Sequence, residues 1–240
     1  MTKNPKNIPV SWKWDLIHYR QRYDWDCGLS CILMVLPEQQ RKFFLENFSQ
    51  VCLEEGFGNS TWTIDLCYVL KRFEIRHKYL TATIGVNMGY SEHSYYDKIL
   101  HKDSDRVTRR FQTAQISGIV IEQRQITTDA LTRHIALEGP AIILTNASLL
   151  TCDLCKFNKL STELRSFLPW KTTFKGHYIV VCGYILTLRK FFYRNPTMKD
   201  HLCMTSFNNL HDARISYGTD QDVILIYGQQ NSAEFQEKAS

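Results

Sequence analysis

Three short, strongly apolar runs in the second half of the chain constrain the fold more than any other sequence feature. They cover residues 141–144, 178–181 and 191–193, and the second run extends to residue 186. Apolar runs of this length, rich in β-branched and aromatic residues, are typical of buried strands. We therefore expect a sheet in the second half of the chain, with a last strand at 223–227.

The first half of the chain has a helical pattern instead. Apolar residues recur at helical spacing over 26–36, where Asp26 is a suitable N-cap and Pro37 a suitable stop. A second helix is expected over 38–53 and a third after residues 60–61. Because helices and strands are segregated along the chain, we predict an α+β fold, with a helical lobe followed by an antiparallel sheet lobe.

The length of 240 residues and the 44% hydrophobic content suit one domain that needs neither disulfides nor metals to fold. We expect a loose N-terminal arm before this domain and a polar, disordered tail after it. From the N-terminus, the expected parts are the arm (1–18), the domain (19–228) and the tail (229–240). Within the domain we expect the helical lobe at 24–74, mixed helices and strands at 75–139 and the sheet lobe at 140–228.

Charge and hydropathy narrow the choice of partners. The net charge is +5, and the densest basic cluster, Arg106, Arg109 and Arg110, is interrupted by Asp103 and Asp105. We interpret this cluster as a solvated helix face, so nucleic acid is not an expected partner. No apolar stretch approaches the roughly 20 residues that a membrane span requires, so no membrane partner is expected either.

The N-terminus carries no apolar signal-peptide core, so we expect a cytoplasmic or nuclear protein. Its eight cysteines should then be reduced thiols.

Cys27 is the candidate nucleophile, because it falls in the first turn of the predicted helix at 26–36. The partial positive charge at a helix N-terminus favours the thiolate, which is the form that attacks acyl carbons. Gly28 follows at once and would let a substrate approach closely. Cys31 lies one turn later, and we interpret it as a core residue rather than a resolving thiol.

Three further residues complete a candidate site. His177 stands at the start of an apolar strand, where it could act as the base. Asn195 ends the next strand of the predicted hairpin and could orient the imidazole. Gln21 precedes the nucleophile by six residues and could donate its amide N–H to an oxyanion. We expect the substrate to contact Trp25, Gly28, Trp62, Asp65 and Gly176.

Four segments in this order resemble the eukaryotic guanylyl cyclase domain-containing protein family, over about residues 21–227. The segments are Tyr-Asp-Trp-Asp-Cys-Gly-Leu-Ser-Cys at 23–31, Ser-Thr-Trp-Thr-Ile-Asp-Leu at 60–66, Gly-His-Tyr-Ile-Val-Val-Cys-Gly-Tyr at 176–184 and Ser-Tyr-Gly-Thr-Asp-Gln-Asp at 216–222. The Gln-x5-Cys-Gly and Gly-His patterns are also similar to bacteriocin-processing cysteine peptidases.

The similarity to these peptidases implies a papain-like fold in which Cys27 is the nucleophile, His177 the base and Gln21 the oxyanion donor. Asn195 would take the orienting position, where many of the peptidases have Asp. An amide is physically acceptable there, but it stabilises an imidazolium less than a carboxylate does. The expected partner is a polypeptide or another acyl substrate, and no cofactor is required.

The family name implies a different reaction, the cyclisation of GTP to cGMP with Mg²⁺ or Mn²⁺. Well-understood cyclases hold two metal ions with paired carboxylates. The sequence offers no such pair in a strand–hairpin setting and no Walker-type phosphate loop. We therefore favour thiol-dependent acyl transfer, with the cyclase and a catalytically silent interaction module as alternatives.

Cys152 and Cys155 have the spacing of half a zinc site. The chain between them and Gly176 supplies no second pair of ligands, so no metal is expected there. We interpret this segment as a surface loop with two free thiols, and a redox role remains open.

Overall fold

A computed structural model describes residues 8–86, 94–155 and 174–228, in which seven helices and eight strands are formed. The helices are α1 (Cys27–Val35), α2 (Glu38–Glu46), α3 (Phe48–Glu54), α4 (Thr63–Arg72), α5 (Ser94–Thr113), α6 (Thr128–Leu137) and α7 (Phe207–Ile215). The strands are β1 (Ser11–Lys13), β2 (His77–Thr81), β3 (Ile121–Gln123), β4 (Ala141–Asn146), β5 (Gly176–Ile185), β6 (Lys190–Arg194), β7 (Cys203–Ser206) and β8 (Val223–Ile226).

The strands form one sheet in the order β3-β2-β8-β4-β5-β6-β7, and β1 pairs with the end of β5. The pairs are antiparallel except for β2 and β3, which run parallel. The predicted α+β class with an antiparallel sheet is confirmed. The strands β2 and β3, which we placed in the mixed middle part, extend this same sheet.

Helices cover both faces of the sheet. The strand β5 is therefore buried on both of its faces, which explains why its sequence is apolar throughout. Tyr178 and Val180 point into the core that contains α1 and α4, whereas Ile179 and Val181 point into the core that contains α6 and α7. A strand buried on both faces reads as a continuous apolar run rather than an alternating one.

The described part of the N-terminal arm, residues 8–18, is not loose as expected, because residues 11–13 form β1. Trp12 pairs with Tyr184 of β5, and the Trp14 indole N–H donates to the carbonyl of Ile135 at 2.7 Å. Gly183 allows this close approach, since a Cβ there would lie 2.5 Å from the Trp12 carbonyl oxygen. A backbone that completes a sheet edge is fixed by its hydrogen bonds despite its polar sequence.

The basic cluster on α5 is also not the solvated face that we expected. Arg106 and Arg110 lie 2.9 and 2.8 Å from the carboxylate of Asp65, which is fully buried on α4. Arg106 also pairs with Asp103, and Arg110 with Glu55. The two pairs with Asp65 join α5 to α4, because a buried carboxylate requires compensating charge.

In the described residues, no helix is both long and apolar enough to cross a membrane. The predicted tail at 229–240 lies outside the described residues.

Candidate active site

Cys27 is the first residue of α1, as predicted, and Asp26 occupies the N-cap position. The Asp26 carboxylate does not cap α1. It accepts hydrogen bonds from the backbone N–H groups of Arg22 and Tyr23, at 3.1 and 3.0 Å. This side chain therefore fixes the loop before the helix. The first backbone amides of α1 instead form hydrogen bonds with the sulfur of Cys27.

Burial, rather than the helix terminus, dominates the acidity of this thiol. Desolvation raises the pKa of Cys27 to about 11, although backbone hydrogen bonds from Tyr178 and Gly28 act to lower it. The neighbouring charge of Asp26 raises it further. The helix terminus therefore does not produce the expected thiolate in the resting structure, where Cys27 is only 6% exposed and its raised pKa keeps the thiol protonated at neutral pH.

His177 and Asn195 are joined by a hydrogen bond of 2.8 Å between Nε2 and Oδ1. The backbone N–H of Thr197 also donates to Oδ1, at 3.1 Å, and the Thr197 hydroxyl donates at 2.8 Å. Because a backbone N–H can only donate, the atom that faces the imidazole is the amide oxygen. The Nε2 of His177 therefore carries the proton, and Nδ1 carries the lone pair that a base needs.

The β5–β6 hairpin brings these two side chains together. His177 lies at the start of β5, and Asn195 follows the end of the antiparallel neighbour β6. Asn195 begins a tight turn, in which its carbonyl accepts from the N–H of Met198 at 3.0 Å. Burial lowers the pKa of His177, and the bond to Asn195 opposes this only in part. The imidazole is therefore neutral at neutral pH.

The sulfur of Cys27 lies against β5 beside the residue that follows His177 in the chain. The backbone of Tyr178 hydrogen-bonds the sulfur of Cys27, and Tyr178 directly follows His177. Helix α1 thus places its N-terminus against the first residues of the strand that carries the candidate base.

Gln21 is tied to its own loop and to the turn that follows β6. Its side-chain N–H donates to the carbonyl of Tyr23 at 2.7 Å, within its own loop. Its backbone N–H donates to the carbonyl of Pro196 at 2.9 Å, which ties this loop to the turn that holds Asn195. One of the two side-chain N–H donors of Gln21 is therefore engaged with the carbonyl of Tyr23.

A cavity of about 680 Å³ opens beside Cys27. Three of the expected substrate contacts, Trp25, Trp62 and Gly176, line it together with the cysteine. Its wall also includes Tyr178, whose ring lies on the α1 side of β5. The cavity has the size of a typical ligand pocket, so a substrate group could reach the sulfur through it.

Gly28 and Asp65 do not line this cavity, contrary to expectation. A Cβ on Gly28 would lie 2.8 Å from a methyl group of Leu66, so the glycine allows α1 to pack against α4. The Asp65 carboxylate accepts from the Trp62 N–H at 2.9 Å and pairs with the arginines of α5. Both residues therefore support the site from inside the core.

Asp222 is a cavity residue that the sequence analysis does not single out. Its carboxyl group accepts a hydrogen bond from the Thr63 hydroxyl, which lies 2.8 Å from the hydroxyl of Tyr178. Desolvation raises the pKa of Asp222 to about 7. The only sequence signal for it is its position in the turn at 216–222, just before a buried strand.

The segment with Cys152 and Cys155 is not the exposed surface loop that we expected, although both thiols are free. Both side chains are buried, and the sulfur of Cys203 from β7 lies beside them. Cys31 is fully buried in the core, where we placed it.

An α+β fold with a helix-terminal cysteine, a histidine and an asparagine on a strand hairpin defines a candidate thiol site. The family of guanylylate cyclases matches residues 16–226, so the chain belongs to this family and the predicted resemblance is confirmed. Guanylyl cyclase 1 of Arabidopsis thaliana is 34% identical over 221 residues, which are 91% of this chain and 78% of that protein.

Among solved structures, a C39-like peptidase from Bacillus anthracis aligns with 18% identity and a TM-score of 0.29. The alignment covers 44% of this chain and 49% of the peptidase, so it spans about half the length of each.

Proposed function

We propose that the chain is a thiol-dependent acyl hydrolase in which Cys27 is the nucleophile and His177 the base. The observation that carries this proposal is the bond from His177 Nε2 to Asn195, which leaves Nδ1 as the basic nitrogen. Asn195 is then the positioning residue, as in a triad. The cavity beside Cys27 supplies the space for an acyl substrate.

In the proposed reaction, the sulfur of Cys27 attacks the acyl carbon of a peptide, isopeptide or related substrate. The Nδ1 of His177 takes the thiol proton and gives it to the leaving amine, and water then hydrolyses the thioester. The backbone N–H of Cys27 at the start of α1 would stabilise the oxyanion. Gln21 could join it once its side chain leaves the carbonyl of Tyr23. No metal or organic cofactor takes part in this chemistry.

The two reacting groups are neutral at rest, because burial raises the pKa of Cys27 and lowers that of His177. Proton transfer therefore has to accompany substrate binding or attack rather than precede it. This resembles general-base catalysis more than the use of a preformed thiolate.

The test compares the alkylation of two cysteines by iodoacetamide at neutral pH, with the sites quantified by mass spectrometry. Cys52 is a matched control, because it is 8% exposed against 6% for Cys27 and its pKa is also raised to about 11. We expect Cys27 to react at least about tenfold faster than Cys52, as proton transfer to His177 assists it. In His177→Ala, the rate at Cys27 should fall to that of Cys52. Equal rates in the wild-type chain would refute the proposal.

Guanylyl cyclase activity is the second candidate, favoured by the family and by the name of the Arabidopsis relative. It would need GTP and a divalent cation held by carboxylates. Asp24, Asp220 and Asp222 line the same cavity as Cys27 and are the groups available for this role. Metal-dependent formation of cGMP that survives Cys27→Ala and is lost in Asp222→Asn would support the cyclase over the hydrolase.

A further inference from the structure

Four potential metal ligands meet at the edge of the sheet, away from the cavity. The sulfur atoms of Cys152, Cys155 and Cys203 all lie within 4.8 Å of one another. The Nε2 of His201 lies 2.9 Å from the sulfur of Cys155 and 3.5 Å from that of Cys203. We infer that these residues form a structural zinc site with three thiolates and one imidazole.

The separations suit a tetrahedral ion. With Zn–S bonds of about 2.3 Å and Zn–N bonds of about 2.0 Å, tetrahedral geometry places ligand atoms roughly 3.5–3.8 Å apart. The sulfurs of Cys155 and Cys203 are 3.9 Å apart, and His201 Nε2 is 3.5 Å from Cys203. The contact between His201 and Cys155 is shorter, and His201 is not among the three residues whose ligand atoms all lie within 4.8 Å of one another. The imidazole therefore has to move away from Cys155 and toward Cys152 to complete the ligand set.

The backbone fixes the imidazole of His201 in the tautomer that binds metals. Its Nδ1 lies 3.1 Å from the carbonyl oxygen of Lys199. Since a carbonyl can only accept, Nδ1 carries the proton and the lone pair of Nε2 points at the sulfurs. Histidine ligands of zinc are commonly oriented by such an outer hydrogen bond.

The surroundings favour a closed site over a catalytic one. Cys152, Cys155 and Cys203 are 2%, 7% and 0% exposed, so solvent has little access to an ion held among them. Four protein ligands and no open position are typical of structural zinc.

The proposed ion would join two segments that are distant in sequence. Cys152 and Cys155 follow β4, while His201 and Cys203 lead into β7. The backbone N–H of Asp153 donates to the carbonyl of Met204 at 2.8 Å, which aligns the two segments before any metal binds. Zinc would therefore stabilise the sheet edge next to the turn that contains Asn195.

The first test measures zinc in the full chain after purification with zinc and exhaustive dialysis, by plasma mass spectrometry. We expect about one ion per chain in the wild type and at least a tenfold loss in His201→Ala and Cys155→Ser. Cys52→Ser is the control and should keep its zinc, because Cys52 is buried elsewhere, on α3. Zinc below a tenth of an ion per wild-type chain would overturn the inference, as would a disulfide among the three cysteines.

A second measurement on the wild-type chain does not depend on how well the variants fold. After treatment with a chelator, Co²⁺ is added and its absorption spectrum is recorded. We expect the intense visible bands of tetrahedral cobalt with thiolate ligands, and their displacement by an equimolar amount of Zn²⁺. A spectrum of octahedral, oxygen-bound cobalt would contradict the proposed ligand set.

Discussion

At the scale of single residues, Asn195 decides the chemistry of the imidazole. Its amide oxygen accepts from His177 and twice from Thr197, so the side chain cannot rotate without losing three hydrogen bonds. An uncharged acceptor orients the ring but offers little stabilisation to an imidazolium. This agrees with the pKa of His177, which burial lowers below its usual value of 6.5 despite the hydrogen bond to Asn195.

Replacing the amide by a carboxylate should change this balance. In Asn195→Asp, all three donors keep an acceptor, and the new charge should raise the pKa of His177 by one unit or more. We expect the alkylation rate of Cys27 at neutral pH to rise about tenfold per unit, because the imidazolium favours the thiolate. The measurement is the pH profile of iodoacetamide labelling. A profile that matches the wild type would show that His177 does not act on Cys27.

At the scale of elements, the site depends on how closely α1 packs against α4 and β5. Gly28 lies under Leu66 of α4 and the ring of Tyr178 of β5, where a Cβ would lie 2.8 and 3.1 Å from their nearest atoms. The same contact holds the N-terminus of α1, and with it Cys27, against the start of β5. Glycine here serves the packing of the elements rather than the approach of substrate.

Gly28→Ala should therefore lower the free energy of unfolding by about 1–3 kcal/mol, since the added methyl overpacks a buried junction. Denaturant titration of the full chain would measure the loss. Gly58→Ala is the matched control, because a Cβ there meets nothing within 4 Å. A substitution at Gly28 that is as harmless as the one at Gly58 would contradict the packing described here.

At the scale of the whole molecule, the two cores enclose histidines that stay neutral. His134, at the end of α6, packs edge-on against Tyr227 at 5.0 Å between ring centres, and Nε2 lies 3.4 Å from the carbonyl of Pro140. Desolvation lowers its pKa from 6.5 to about 4. Between these two values the unfolded chain binds a proton at this residue and the folded chain does not.

The stability that the neutral imidazole of His134 contributes should accordingly be lost as the pH falls from 6.5 to 4. His134 contributes about 3 kcal/mol to this loss, from the shift and 1.36 kcal/mol per unit. Asp222 acts with the opposite sign, because its raised pKa stabilises the folded state at low pH. The free energy of unfolding is therefore measured as a function of pH for the wild type and for His134→Gln, and the second curve is subtracted from the first. A difference that is independent of pH would contradict the burial of a neutral imidazole.

The sequence by itself determined the class of fold and the order of the candidate catalytic residues. Helical and strand periodicities are local, so the start of α1 at Cys27 and the buried strand after His177 were readable without a structure. The hairpin then implied that Asn195 lies near His177, because only a short connection separates β5 from β6.

Only the tertiary structure decided the acidity of Cys27, the partners of Asp65 and the meeting of Cys155 with His201. These properties arise from contacts between residues far apart in the chain, such as Arg110 with Asp65 and Thr63 with Asp222. Burial and charge pairing at such contacts depend on how the elements pack, and no local pattern in the sequence records that packing.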